Sequence, residues 1–252
     1  MFTLHAFAGS IATSSTPAYL NVTPIADPIA TVSGNLLYVG GLTNLLGAVV
    51  LSPNIQRSKL ESPSILNLVP FAVTPIVASA LPTATMRPEL QVGSPIKLVT
   101  NEALQAYAYQ ATSGSASQTD IGIILADGPL APVSGDIVHA RATFTSSATA
   151  DTWENGSITF DTVLPAGTYD VVGARVEGAH LKFFRLVFQG TSSVRPGGPA
   201  VLGSTGQDMK LMRNGGMGTW GTFDQFTPPS VDHITDGTSE TGVIFLDLIK
   251  KS

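Results

Sequence analysis

Two tryptophans with acidic neighbours are the first residues in this chain that could do chemistry. Trp153 stands between Asp151 and Glu154, and Asp224 follows Trp220. An aromatic platform beside paired carboxylates is what glycan binding or glycoside hydrolysis requires. The same residues also make a solvated loop with an anchoring Trp, which is the simpler reading. The four histidines, His5, His139, His180 and His233, are isolated in sequence, with no His-x-His pair to start a metal site. There is no phosphate loop and no Gly-x-Ser-x-Gly elbow. No catalytic, metal or cofactor residue is therefore assigned, and the chain reads as a non-enzyme.

Two Arg-Pro pairs, Arg87-Pro88 and Arg195-Pro196, are better candidates. Arginine before a turn bonds loop carbonyls, or a carboxylate across an interface. The run Gly215-Gly216-Met217-Gly218-Thr219-Trp220-Gly221 resembles an anion-binding nest, but reads more simply as a long loop packed against a neighbouring subunit. Arg87, Arg195, Trp153 and Trp220 are the interface candidates. Asn21-Val22-Thr23 and Asn155-Gly156-Ser157 match the glycosylation sequon, which matters only in a eukaryotic secretory setting.

The elements that must position these residues are strands. The 25 Gly and 17 Pro punctuate short segments rich in Val, Ile, Thr, Phe and Tyr. Examples are 156–160, 168–172 and 241–248. Asn155-Gly156, Pro196-Gly197-Gly198, Asn214-Gly215-Gly216 and Asp236-Gly237 read as turns between them. One stretch, Thr100 to Gln110, is tolerable as a helix because Leu104 and Tyr107/Ala108 share a helical face; strand remains the other reading. Two uncharged stretches, 28–56 and 62–86, are too interrupted by Gly, Asn and Pro for a helical membrane span. The opening residues lack the basic region of a secretory signal.

An internal repeat organises the chain. Leu4-His5-Ala6 recurs as Val138-His139-Ala140, Gly47-Ala48-Val49 as Gly173-Ala174-Arg175, and Lys97-Leu98 as Lys210-Leu211. Met86-Arg87-Pro88 recurs as Val194-Arg195-Pro196, and the run Asp120–Asp127 as Glu240–Asp247. All pairs are collinear. The repeat gives a first domain at 1–128, a Pro/Gly-rich connector at 129–135 and a second domain at 136–252. The Ser62–Met86 segment has no counterpart of that length in the second copy and is expected to form an inserted loop at a subunit contact. Leu36–Leu51 is expected in the first core, and His5 and His139, as equivalent positions, in strand-end packing.

Composition bounds the function. Charged residues make up 12% of the 252, about half the usual share. Apolar residues make up 43%, and mean hydropathy is +0.26. So few charges leave a monomer prone to association, and a surface covered by other subunits resolves this. The first half carries four basic and six acidic residues, the second nine and twelve. A net charge of −5 without basic clusters argues against direct nucleic-acid binding. The absence of cysteine removes disulfides, thiolate metal sites and cysteine nucleophiles.

A duplicated, cysteine-free, charge-poor β chain with a Pro/Gly connector and Gly-rich loops resembles the double jelly-roll major capsid proteins of tailless icosahedral DNA viruses. The resemblance spans the whole chain and rests on architecture. It implies an all-β fold of two tandem jelly-roll β-sandwiches and trimeric, pseudo-hexameric capsomers that tile a shell in the virion. It also implies contacts with other capsid or vertex proteins, and is compatible with an internal membrane. The alternative is an extracellular or phage-fibre tandem sandwich that binds glycans through Trp153, Trp220, Tyr107 or Tyr109.

Overall fold

The computed structural model describes residues 1–14, 18–52, 55, 57–63, 90–110, 116–190, 194–201 and 210–251. Arg87, and nearly all of the 62–86 insertion, lie outside the described residues. The chain divides into two compact units: His5–Gly128, and Pro129–Ser252 together with Met1–Leu4. Among the described residues all regular structure is strand, apart from one 3-10 turn at Lys210–Met212. No helix among them is long and apolar enough to cross a membrane.

The first unit contains most of β1 (Phe2–Ile11), then β2 (Leu20–Pro24), β3 (Thr31–Ser33), β4 (Leu36–Tyr38) and β5 (Asn44–Leu51). It continues with β6 (Arg57–Glu61), β7 (Ile96–Lys97), β8 (Ala103–Tyr109) and β9 (Ser117–Ala126). Pairing follows the path β3-β4-β8-β2-β1-β9-β5-β7, with β6 also on β8. Where β2 ends it pairs with β1, and where it begins it pairs with β8. After Asn44, strand β5 is an unbroken apolar run, and it is buried at every residue, as a strand covered on both faces must be. Phe7, Val22, Leu37, Leu45, Ala48, Val50, Leu60, Leu104 and Ile123 share one core. Each Val, Leu, Ile or Phe among them contributes about 1.5–3 kcal/mol on full burial. The uncharged 36–51 stretch supplies much of that core.

The 100–110 stretch is strand β8, not helix. Leu104, Ala106 and Ala108 are buried while Gln105 and Tyr107 between them are partly exposed. That period of two suits a half-covered sheet, and pairing with β2 and β6 overrides the weak helical spacing.

The second unit contains β10 (Ile137–Thr145), β11 (Glu154–Ser157), β12 (Thr159–Phe160), β13 (Thr168–Glu177) and β14 (Leu181–Val187). It ends with β15 (Gly197–Pro199), β16 (Gly221–Asp224), β17 (Ser230–Thr235) and β18 (Thr241–Lys250). Two antiparallel sheets form, β12-β10-β18-β13-β16 and β11-β17-β14-β15. Side chains bridge them. Phe144 of β10 lies 5.3 Å from His233 of β17, and a Cβ on Gly242 of β18 would meet Leu181 of β14 at 2.9 Å. Several antiparallel sheets with apolar facing surfaces make the chain all-β, consistent with β-sandwich construction.

Both units carry the same irregularity. An extra residue, Leu46 in β5 and Val172 in β13, bulges immediately before a glycine. These positions, Gly47 and Gly173, are the ones the sequence repeat aligns. The facing strands align differently, however. Gly47 pairs with Ile124 and Gly173 with Asp247, whereas the sequence repeat sets Ile124 against Ile244. Runs as uniform as Ile-Gly-Ile-Ile-Leu and Gly-Val-Ile-Phe-Leu match at several registers, and only hydrogen bonding fixes the true one.

Two expected turns are strand instead. Asn155-Gly156 lies within β11 and Gly197-Gly198 within β15. Glycine is used there for close approach. A Cβ on Gly197 would meet the Phe184 carbonyl oxygen at 2.0 Å and Arg185 Cα at 2.5 Å. Asn214-Gly215 and Asp236-Gly237 are true turns, with φ of 53° and 78° at the first pair and 105° at Gly237.

Candidate functional site

The second unit holds a buried charge cluster built in register across its four-stranded sheet. Asn155, Asp232, Arg185 and Gly197 pair in turn along one row of β11, β17, β14 and β15. Arg185 Nε donates to Asp232 Oδ2 at 3.0 Å, and its side chain is 0% exposed. Arg195 Nη1 donates to the same oxygen, and Asn155 Nδ2 donates to Asp232 Oδ1 at 2.9 Å. Gly197 leaves the space in which the 195–199 segment lies against Arg185. The Arg185 guanidinium stacks 3.9 Å from the Trp153 ring centroid, a contact that is strengthened when desolvated.

The cluster also takes in the first residues of the chain. Arg185 Nη1 donates to the Leu4 carbonyl at 3.3 Å, and the Arg195 backbone N–H donates to Thr3 Oγ1 at 3.1 Å. Leu4 N–H donates to the Arg195 carbonyl at 3.3 Å. Trp220 packs edge-on against Phe2, with centroids 5.0 Å apart, and is stacked with Phe184 at 6.4 Å.

A second cluster surrounds Asp247, which is fully buried in β18. Arg213 binds it through two hydrogen bonds, Nε at 2.8 Å and Nη2 at 2.7 Å, and Asn214 N–H adds a third at 2.8 Å. His139 Nδ1 lies 2.8 Å from Oδ1. Burial alone would push this carboxyl up. The Arg213 and Asn214 hydrogen bonds, with the Arg213 charge, hold it below the usual carboxylate range instead. The cluster ties the loop that precedes Trp220 to the sheet. Gly173 makes room for it, since a Cβ there would meet Asp247 Oδ2 at 2.5 Å.

The remaining histidines are engaged separately. His5 Nδ1 meets Asp27 Oδ2 at 2.8 Å, with both side chains buried. His180 Nδ1 meets Asp236 Oδ2 at 2.8 Å, and that hydrogen bond raises its pKa. His233 Nε2 accepts from the Ser147 backbone N–H at 2.9 Å, which leaves Nδ1 to carry the proton toward the Val231 carbonyl. Burial lowers the His233 pKa and keeps the ring neutral. Among the described residues no group of three or more His, Asp or Glu could hold a metal ion.

The structure brings Arg195 and Trp153 together around Arg185 and Asp232, and buries Trp220 beside them. It does not gather the acidic neighbours of the tryptophans. Asp151 accepts from Lys182 at 2.6 Å, and Asp224 caps the Phe226 N–H at 3.0 Å. Trp220 is 1% exposed and offers no platform to a sugar. Arg185 and Asp232 are absent from the sequence-based candidates. Their signal is a charged residue at a buried position in each of two neighbouring strands, visible only once the register is known. The chain matches no model of a protein family, no curated protein and no solved structure.

Proposed function

We propose that the chain is a structural shell protein: two jelly rolls in tandem, assembling as homotrimeric capsomers that tile an icosahedral virion. One observation carries this reading. Rolling up a long eight-stranded hairpin pairs first with last, second with seventh, third with sixth and fourth with fifth; this is the jelly roll. In the second unit, with the two-residue β12 set aside, β10 pairs with β18, β11 with β17, β13 with β16 and β14 with β15. In the first unit β1 pairs with β9, β2 with β8 and β5 with β7. The shared bulge before Gly47 and Gly173 supports duplication of one ancestral roll.

Function comes from this fold only by analogy, and the charge-poor surface is what directs the analogy toward assembly. Extended apolar contacts between copies would cover it. In this reading the partners are other copies and other shell or vertex proteins, a membrane beneath is compatible, and the chain performs no catalysis. The glycan-binding alternative has less support, because Trp220 is buried, Trp153 faces Arg185, and Lys59 sits 4.8 Å from the Tyr107 centroid.

The test is solution mass by light scattering, followed by electron microscopy of the same fractions. Trimers or closed shells of regular size are expected. A clean monomer overturns the reading.

A further inference from the structure

Strand β1 serves two units. Its residues from His5 onward belong to the first, whereas Phe2, Thr3 and Leu4 are built into the second. All three are buried there. The contacts are those by which an extended peptide is recognised: main-chain hydrogen bonds for affinity, and pockets for alternate side chains for selectivity. Leu4 N–H bonds to the Arg195 carbonyl, Phe2 abuts the Trp220 ring, and Arg185 donates to the Leu4 carbonyl. Asp232 holds the two arginines in position whether or not those bonds are made.

We propose that the groove lined by Phe184, Arg185, Arg195 and Trp220 is a strand-acceptor site. Its ligand is an extended Phe-x-Leu segment, and Phe2–Leu4 fills it as a detachable strap. The groove is the interaction surface, and the partner it fits is this chain's own opening segment. Withdrawing that segment leaves the Arg195 backbone N–H and carbonyl unmatched and uncovers the edge of Trp220, so an open groove favours a replacement strand. Reburying that apolar surface, together with the main-chain bonds regained, gives the site its drive. The proposal does not depend on the shell reading.

The test removes residues 1–4 and titrates the shortened chain with a dye-labelled peptide of sequence MFTLHAFAGSI. Both tryptophans lie in the unit that holds the groove, so their fluorescence reports on it alone. One peptide should bind per chain, and the same peptide with Phe2→Asp should bind at least roughly tenfold more weakly. A folded shortened chain that binds neither peptide, or both equally, overturns the proposal. Should the shortened chain not fold, full-length Phe2→Ala is followed by hydrogen exchange. Faster exchange confined to β14, β15 and the residues around Trp220 supports a strap, and equal acceleration in β5 and β9 overturns it.

Discussion

Arg185 and Asp232 face each other across neighbouring strands, Nε to Oδ2 at 3.0 Å, in the interior of the second unit. A buried pair of this kind is weak grounds for stability by itself, but breaking it is expensive.

Asp232→Ala removes the shared acceptor of Arg185 and Arg195. It should cost about 3–5 kcal/mol, read by denaturant unfolding followed through tryptophan fluorescence. Arg185→Met should cost clearly less, because Arg195 and Asn155 still serve the carboxylate. Equal costs would mean that the carboxylate is not the organising group.

Gly173→Ala should destabilise by about 1–3 kcal/mol, the usual range for overpacking. The added methyl meets Asp247 Oδ2 at 2.5 Å and the Met212 carbonyl oxygen at 2.9 Å. Gly41→Ala meets nothing within 4 Å and should be neutral within about 0.5 kcal/mol. Thermal melts of the two variants decide this.

His233 should make the second unit acid-sensitive. Its folded pKa is depressed by burial, so the unfolded chain takes up the proton more readily. The stability it contributes is full above the unfolded value of 6.5 and is lost as pH falls through the lower folded value. Asp247 acts in the same direction at lower pH, with its contribution full above 3.8 and lost as pH falls through its folded value. His180 has the opposite sign. Its contribution is full below 6.5 and is lost as pH rises through its raised value, and its exposure keeps that effect small. His233→Gln should flatten the dependence of the unfolding midpoint on pH below 6.5; an unchanged slope would assign the acid sensitivity elsewhere.

Val163 and Phe226 are 88% and 82% exposed beside a cleft shared with Phe160 and Leu164. Val163→Asp and Phe226→Asp should each leave stability within about 0.5 kcal/mol of the parent. A melting temperature lowered by several degrees would show that these side chains are covered in solution.

The strand character of the chain is legible in its residues, because β-branched and aromatic runs between glycines have few other uses. Leu36–Leu51 is legible as core for the same reason. The helix–strand choice at 100–110 is not, since Leu104, Ala106 and Ala108 are too small and too few to distinguish a period of two from 3.6. Gly156 and Gly197 look like turn residues because glycine serves turns and close strand contacts alike. The Arg185–Asp232 pair spans 47 positions in the chain, and nothing local in either strand names its partner. Arg195 stands out because Pro196 follows it; what it binds emerges only from the fold.

The nesting of first strand with last also governs the order in which the molecule can be completed. During synthesis β10 must wait for β18, which is made after every other strand of the unit, so the second unit closes through contacts distant in sequence. Such topologies fold slowly and leave edges open to aggregation meanwhile. Phe2–Leu4 waits longer still, since Thr3 is made 192 residues before the Arg195 that it contacts. A nascent chain of this protein therefore carries an unplaced apolar segment until Arg195 and Trp220 have been made.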